Sequence, residues 1–576
     1  MKRTTLLKRM GALGLAVMLL AGCTSGAQTN TENNQNSETD QSAQVKTEGN
    51  LPVDENGKVS QFGRYSEPVT LKIAQIVNPT IAFPEGQTAT DNAIFDYLKE
   101  KMNIDIEVMW QAGSNEDYNE KLNLAISSGE LPDVFSVDGS QLKMLVSAGM
   151  LEDISEVYDF YASDRIKMSI DSTEGKSMEA VTFDGKMMAM PNVKAMKDGY
   201  DLLWIRQDWL DQLGLEAPKT IDDIRNIAKQ FVQNKMGGEK TVGLLGPSSG
   251  SSLYSNFLKS SAAMGGFGGI FQANKAFPGY WVKDDSGEIV YGSLTQETKD
   301  TLQILSEMYK EGSLDPELGM RDDADEAWKS GQAGMFFGPW WVGYNLKDAL
   351  ANNPEADWQA YPSPLTSDGK WSVHMMNPSD NFCVVRKGYE HPEILLLINN
   401  YYQKEAAVVD TLVPDTTMLP ARMLLNTAKQ EESDAQILNE YLETNEIPDY
   451  NKDEHNLMEN DLATVKGAKL EPYDDLSIKT WNTEDANFGR LYSIMVGCGA
   501  IDKGYEIGCE ETYSELYWQT DSMQRKWSNL QKLEDETFLK IILGTESIEA
   551  FDQFVEDWNA QGGKDITAEV KEAVNK

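Results

Sequence analysis

The chain has 576 residues, and its 92 acidic against 51 basic side chains give a formal net charge of −41, which repels phosphate backbones and argues against nucleic acid as a partner. Its four cysteines are too few for a disulfide scaffold, and its three histidines, His374, His391 and His455, are too widely spaced to suggest a zinc site. With 40% hydrophobic residues the chain can fill a globular interior, and its length predicts two or more domains.

Residues 1–22 have the pattern of a secretory signal peptide. Four basic residues precede a short apolar stretch over residues 11–20, which is too short to be a stable membrane span. The run Leu20-Ala21-Gly22-Cys23 then resembles a bacterial lipobox. We therefore expect cleavage before Cys23, lipid such as palmitate on its thiol, and a protein held on the extracellular face of the cell membrane. An ordinary signal peptide with an incidental cysteine is the alternative.

Residues 23–65 are predicted to be a disordered tether. The segment is rich in Ser, Thr, Asn, Gln and Glu and has few apolar residues, so it cannot bury enough surface to offset its ordering entropy. A flexible chain of this length reaches on the order of 35 Å. The membrane would then be contacted only through the lipid.

Strands and helices alternate after the tether. Alternating apolar residues predict strands at Val69–Ile73 and Ile104–Trp110, with helices near residues 94–102 and 118–126. Leu131–Phe135 reads as a third strand. Strand–helix–strand–helix–strand over this length predicts a parallel sheet with helical crossovers.

The same alternation restarts near Leu202 and predicts a second α/β unit. Thr220 and Asp223 have the spacing of a helix capping box. Trp281–Gly292 has the pattern of a hairpin, and the chain beyond about residue 390 is mostly helical in pattern. Further short strands are predicted at Met335–Phe337 and Asn381–Val385.

Seven motifs, in a fixed order, carry a resemblance to a known family. Together they resemble the extracellular solute-binding proteins of family 1, the lipid-anchored receptors of carbohydrate-importing ABC transporters of the Gram-positive type. The motifs lie at residues 125–134 (AISSGELPDV), 147–154, 183–191 (FDGKMMAMP), 204–220, 312–317, 331–335 and, in the tail, 534–554.

The resemblance implies an α/β fold of the periplasmic-binding-protein type II, in which two lobes are joined by a hinge of two or three segments and close on the ligand. By the family pattern, lobe one comprises residues 66–197 plus 386–430, and lobe two comprises 206–378 plus 431–576. The hinge crossings would be 198–205 and 379–385. The two α/β units found from the strand and helix patterns agree with this organisation.

The resemblance also implies a function. The protein would be a monomeric, non-catalytic receptor without a cofactor that binds an oligosaccharide and delivers it to the membrane permease subunits of an ABC importer. A receptor for peptides or another polar solute on the same fold is one alternative, because fold does not settle ligand. A surface glycosidase is the other, since carboxylates are plentiful, although no motif singles out a catalytic pair.

Aromatic side chains are the candidates for stacking on a sugar ring. The run Gly338-Pro339-Trp340-Trp341 is similar to a Gly-Pro-Trp turn of maltose-type binding proteins, whose Trp stacks on sugar. The resemblance therefore assigns that role to Trp340, with Trp341 beside it. Tyr280 and Trp281 open the predicted hairpin and are candidates for the rim of the site. Core packing is the alternative for each of these rings.

Polar residues that follow strands are the candidates for binding sugar hydroxyls, because ligands of open α/β sheets lie beyond the carboxyl ends of the strands. Asn78 follows the first predicted strand and Asp138 the third. Asn192 lies near the first crossing, and Asp380 and Asn381 lie at the second. The alternative for each is the capping of a turn.

No metal site is predicted. Some members of the resembled family carry a calcium loop after the helix that here ends near Phe231, but residues 233–240 hold one carboxylate and two lysines, whereas Ca²⁺ needs several oxygen ligands. The acidic run 321–326 reads as the solvated start of a helix. Cys498 and Cys509 flank a Gly-containing turn and are the pair that could form one disulfide.

Overall fold

The computed structural model describes residues 49–77, 81, 83–409, 411–412, 418–428, 430–452, 455, 458–468 and 476–574. The predicted signal peptide, Cys23, most of the predicted tether and Asn78 lie outside the described residues.

Strands and helices of the described residues follow one another along the whole chain. The strands are β1 (Val69–Ile76), β2 (Ile104–Ala112), β3 (Val134–Val137), β4 (Thr182–Phe183), β5 (Lys186–Met187), β6 (Met190–Pro191), β7 (Leu202–Arg206), β8 (Val242–Leu244), β9 (Trp281–Lys283), β10 (Ile289–Tyr291), β11 (Ala333–Gly338), β12 (Trp358–Tyr361), β13 (Trp371–His374), β14 (Phe382–Val385) and β15 (Cys509–Thr512). The helices are α1 (Ala93–Met102), α2 (Asn115–Ser128), α3 (Gly139–Ser147), α4 (Ser155–Tyr161), α5 (Asp164–Asp171), α6 (Lys176–Val181), α7 (Gln207–Leu213), α8 (Ile221–Gln233), α9 (Gly268–Ala273), α10 (Gln296–Lys310), α11 (Ala324–Lys329), α12 (Leu346–Asn352), α13 (Ile394–Val409), α14 (Gln430–Thr444), α15 (Met458–Ala468), α16 (Phe488–Tyr492), α17 (Gly499–Ile507), α18 (Asp521–Ile542), α19 (Ala550–Trp558) and α20 (Lys564–Val574).

The first core is built by the first α/β unit together with a later stretch of chain. β1 and β2 pair in parallel, as their alternating patterns predict, with Val69 opposite Ile104. β3 is antiparallel to β14, and β14 is antiparallel to β6, so the predicted parallel sheet does not extend to the third strand. The buried side chains of this core come from residues 65–193 and 382–425.

A four-stranded sheet in the order β12-β7-β11-β8 separates two further cores. Successive side chains of β7 point to opposite faces: Leu202 and Trp204 belong to the second core, and Leu203 and Ile205 belong to the third. Helices α14 to α17 contribute to the second core, and helices α18 to α20 contribute to the third. A sheet covered on both faces explains why every residue of β7 is buried.

Three chain segments run between the first core and the rest of the molecule, and backbone hydrogen bonds join them. The N–H of Asn192 donates to the carbonyl of Asn381 over 3.0 Å, and that of Lys194 donates to the carbonyl of Pro378 over 3.0 Å. The third segment, residues 424–428, accepts hydrogen bonds from the N–H groups at 193 and 196.

The predicted crossings include two strands. Residues 198–205 include most of β7, and residues 379–385 include β14, and both strands are fully buried and hydrogen-bonded within sheets. The chain segments that run between the cores, called the first, second and third crossings below, are residues 191–198, 376–381 and 424–428.

Among the residues that the structure describes, none of the helices combines the length and the apolar character that a membrane span requires. Cys498 lies in the second core, Cys509 begins β15, and both are thiols in the structure.

Candidate functional site

Polar residues meet where β3, β14 and β6 end side by side. In this sheet Phe382 lies opposite both Val137 and Pro191. The residue after Val137 is Asp138, the residue after Pro191 is Asn192, and the residue before Phe382 is Asn381. Register therefore places three predicted site residues at one edge of the sheet, beside Asp380.

Asn192 holds this edge together. Its side chain is buried, and its Oδ1 accepts hydrogen bonds from the backbone N–H groups of Asp380 (3.0 Å) and Asn381 (3.1 Å). Its Nδ2 donates to Oδ1 of Asp380 over 2.9 Å. Asn192 therefore fixes the turn that presents Asp380 and Asn381 and has little capacity left for a ligand.

Asp380 and Asn381 are exposed. The carboxylate of Asp380 forms an ion pair with Lys194, whose Nζ lies 2.5 Å from Oδ2. The side chain of Asn381 makes no hydrogen bond within the part of the chain that the structure describes, so its amide can both donate to and accept from a hydroxyl group.

Asp138 is exposed at the first turn of α3. Its Oδ1 accepts a hydrogen bond from the N–H of Gln141 over 2.8 Å, and Oε1 of Gln141 accepts one from the N–H of Asp138 over 3.1 Å, which forms a capping box. Capping occupies one carboxylate oxygen and fixes the direction of the side chain, so the other oxygen remains able to accept a hydrogen bond.

Trp340 lies close to this edge along the first crossing. Its indole Nε1 donates to Oδ1 of Asp198 over 2.7 Å, and Nζ of Lys197 lies 4.8 Å from the ring centroid. The ring is only 7% exposed, Trp341 is half-buried, and Tyr344 is exposed with its ring edge towards Trp340. Residues 197 and 198 lie in the first crossing, which also carries Lys194, the ion-pair partner of Asp380.

Tyr280 and Trp281 are in the interior and not at a rim. Trp281 is fully buried in the third core against Tyr291 and Trp558, with ring centroids 4.9 and 6.4 Å away. Tyr280 is 1% exposed and packs against His374. The β9–β10 hairpin is covered by the C-terminal helices, which removes both rings from the surface.

Trp518 is a candidate site residue that no sequence pattern indicates. It follows β15 and packs against the third core, yet its Cβ would lie 3.2 Å from a Cβ placed on Gly139, the first residue of α3. Nζ of Lys143, also on α3, lies 3.7 Å from the Trp518 ring centroid. In a similar contact, Nζ of Lys176 lies 5.5 Å from the ring centroid of Tyr513. Trp518 therefore reaches the first core beside Asp138, from a distant part of the sequence.

No group of three or more His, Cys, Asp or Glu side chains is arranged to hold a metal ion among the described residues. In the loop after α8, Nζ of Lys235 lies 2.7 Å from Oε1 of Glu239, so the carboxylate there is paired with a lysine. The acidic run 321–326 starts α11, with Asp323 as the N-cap. Arg321 pairs with Asp315, its Nε lying 2.7 Å from Oδ2.

The fold is that of two-lobed α/β solute-binding proteins. The alginate-binding protein AlgQ2, solved without calcium ion, aligns with a TM-score of 0.53 at 15% identity over 89% of this chain and 99% of its own. A solute-binding protein associated with a human-milk-oligosaccharide (HMO) binding ABC transporter, from Bifidobacterium longum infantis ATCC 15697, aligns with a TM-score of 0.54 at 12% identity over 88% and 99% of the two chains.

Sequence comparison establishes the family. The model of the bacterial extracellular solute-binding proteins matches residues 84–408, more than half of the chain, and the chain belongs to this family. The polygalacturonan/rhamnogalacturonan-binding protein YtcQ of Bacillus subtilis (strain 168) is 23% identical over 519 residues, 84% of this chain and 89% of that protein. The fructooligosaccharide ABC transporter substrate-binding protein FusA of Streptococcus pneumoniae serotype 4 is 33% identical over 132 residues, 21% of this chain and 24% of that protein.

Proposed function

We propose that this protein is the extracellular, lipid-anchored receptor of an ABC importer, and that it binds an oligosaccharide between two lobes and releases it unaltered to the permease. The observation that carries the proposal is the convergence of Asp138, Asp380 and Asn381 at one sheet edge with the indoles of Trp340 and Trp518 beside it.

This combination of groups suits a carbohydrate. Exposed carboxylate and amide oxygens accept hydrogen bonds from sugar hydroxyls, and Asn381 can donate as well. Indole faces pack against the apolar C–H surface of a sugar ring. Trp340, Trp341 and Trp518 would supply those faces. Asn192 would position the polar turn, Trp281 would support the third core, and Tyr280 would pack against His374.

Closure would bring the two walls of the site together. Asp138 and Asn381 belong to elements of the first core, whereas Trp340 and Trp518 pack with the second and third cores. Three adjacent segments connect these parts, which is the arrangement that permits rotation of one lobe against the other.

The anchor would be lipid on Cys23. The lipobox pattern supports it, because the cleavage position and the thiol coincide. Cells that express the chain with radiolabelled palmitate should yield a labelled membrane-bound protein, and Cys23→Ala should give unlabelled protein in the medium. Equal labelling of the two forms would contradict the assignment.

The ligand class is tested by calorimetry of the purified chain against neutral and acidic oligosaccharides, with fructooligosaccharides and oligogalacturonates among them because relatives are named for such sugars. We expect saturable binding of at least one oligosaccharide and recovery of the ligand intact by mass spectrometry. Binding of peptides alone would favour a peptide receptor, and cleavage of the sugar would favour a glycosidase.

A further inference from the structure

A small cavity lies within the part of the molecule that carries the four-stranded sheet. Its lining includes Gln272 of α9, Tyr280, His374 of β13 and Gly268. Gln272 and His374 are each 3% exposed and Tyr280 is 1% exposed. The cavity has room for about one water molecule.

The hydrogen bonds of Gln272 determine which atoms beside the cavity remain to be paired. Its Nε2 donates to Oδ2 of Asp201 over 2.9 Å and approaches Nδ1 of His374 at 2.6 Å. Nε2 of His374 lies 3.2 Å from the carbonyl oxygen of Ser260, which can only accept, so Nε2 carries the histidine proton and Nδ1 accepts from Gln272. Both amide hydrogens are thereby used.

Three buried polar atoms next to this network have no hydrogen-bond partner among the described residues: Oε1 of Gln272, the hydroxyl of Tyr280 and Oδ1 of Asp201. Oε1 is an acceptor only, and the phenol is a donor that can also accept. Buried polar groups in native proteins are paired almost without exception, with ordered water as the usual partner where protein atoms are out of reach.

We propose that the cavity is a binding site for one structural water molecule, which donates to Oε1 of Gln272 and accepts from the hydroxyl of Tyr280. One water has the donor and the acceptor that these two atoms need. A larger ligand does not fit, because the cavity has room for about one water molecule.

The position of the water site gives it a second role. Asp201 immediately precedes β7, just after the first crossing, and His374 ends β13, just before the second. The N–H of Asn377, in the second crossing, donates to Oγ of Ser260, the residue whose carbonyl accepts from His374. The water-centred network therefore holds the ends of two crossing segments at a fixed separation. Gly268 permits this, since a Cβ there would lie 2.1 Å from Oδ2 of Asp201.

A crystal structure of the full chain at a resolution that shows ordered water tests the site directly. We expect one ordered water within about 3.2 Å of both Gln272 Oε1 and the Tyr280 hydroxyl oxygen. A dry cavity, or a direct hydrogen bond between these side chains, would overturn the proposal.

A pair of matched variants tests the role in the crossings without any ligand. Tyr280→Phe removes a hydroxyl that binds the water, whereas Tyr254→Phe removes one at the same cavity that donates instead to Glu534. We expect hydrogen exchange of the Asn377 amide to accelerate about tenfold in Tyr280→Phe and to change less than about twofold in Tyr254→Phe. Equal acceleration in both variants, or none in Tyr280→Phe, would refute the role, whatever the protein binds.

Discussion

Single side chains in the candidate site divide into those that would touch a ligand and those that hold the site in shape. Asn381 and Asn192 illustrate the division, because they have the same chemistry and lie next to the ends of paired strands but differ in burial and in their hydrogen bonds. Burial and partner count, which the sequence does not reveal, decide the role of each.

Asn381→Ala should weaken ligand binding and leave the melting temperature nearly unchanged, because its exposed amide has no partner to lose among the residues that the structure describes. Asn192→Ala should instead lower the free energy of unfolding by about 1–3 kcal/mol, because two backbone N–H groups would lose the buried side-chain oxygen that accepts from them. Calorimetric titration and thermal unfolding of both variants check this. A large loss of stability in Asn381→Ala would contradict the assignment.

Trp340→Ala should weaken binding by about 1–3 kcal/mol, which is about fivefold to 150-fold in Kd, because an apolar stacking surface is lost. Trp340→Phe is the control, since it keeps an aromatic face but loses the hydrogen bond to Asp198. We expect the phenylalanine variant to lose less affinity than the alanine variant. Unchanged affinity in Trp340→Ala would remove this indole from the site.

Asp201 should make stability fall as pH rises. Burial raises the pKa of its carboxyl to about 7 from an ordinary value of 3.8, although the hydrogen bond from Gln272 acts in the opposite direction. Between pH 4 and 7 the unfolded chain therefore loses a proton that the folded chain keeps, so the free energy of unfolding falls, by up to about 4 kcal/mol, and is flat for this group above pH 7.

Asp201→Asn should remove this dependence, because the amide does not titrate in this range. Thermal unfolding at pH 5 and pH 8 should show the variant gaining stability relative to the native protein at the higher pH. Asp159→Asn, at an exposed position, is the control and should show no such gain. Glu534, whose pKa burial also raises to about 7, keeps its own contribution in both proteins. A variant that tracks the native protein across pH would contradict a buried, protonated Asp201.

At the scale of elements, the local patterns determine secondary structure well. Alternation predicts β1 and β2, and the capping box of Thr220 and Asp223 starts α8 as expected. The convergence of Asp138, Asn192 and Asn381 also follows from strand ends, although β3 pairs with different partners from those expected. Local sequence patterns predict these features because helix capping and the alternation of buried residues depend on neighbouring residues in the chain.

Contacts between distant elements are beyond the reach of such patterns. The sequence around Trp518 does not indicate that this residue packs on α3. The sequence at the start of the β9–β10 hairpin likewise does not indicate that Trp558 packs against Trp281. The third crossing, at residues 424–428, has no sequence signal either. In each case the partner comes from a part of the sequence far removed along the chain, so only the folded arrangement reveals it.

Gly139→Val should separate α3 from the Trp518 segment. A Cβ added at residue 139 would lie 3.2 Å from the Trp518 Cβ, and the two methyl groups of valine would displace the indole. We expect weaker ligand binding with a small change in melting temperature, because Trp518 is only half-buried. Ser140→Val, one residue along the same helix, is the control for the cost of a β-branched residue in the first turn. Equal affinities for the two variants would show that the contact does not shape the site.

At the scale of the whole molecule, the proposed function requires movement between parts that carry separate cores. Saturating oligosaccharide should reduce the radius of gyration measured by small-angle scattering, because the two walls of the site close on the ligand. The same sugar added to Trp340→Ala at a concentration below its Kd should leave the curve unchanged. Identical curves for the native protein with and without bound ligand would refute closure.

Two of the cores take side chains from distant parts of the sequence, and this has a consequence for biosynthesis. The first core takes side chains from residues as late as 425, and the third takes them from residues 203 to 570. The first interior therefore cannot be completed before residue 425 has been exported, and the third cannot be completed before residue 570 has been exported. A chain truncated by a few dozen residues at the C-terminus would lack helices of the third core, which would expose the face of the four-stranded sheet that packs against that core. Such a fragment should be aggregation-prone and quickly degraded.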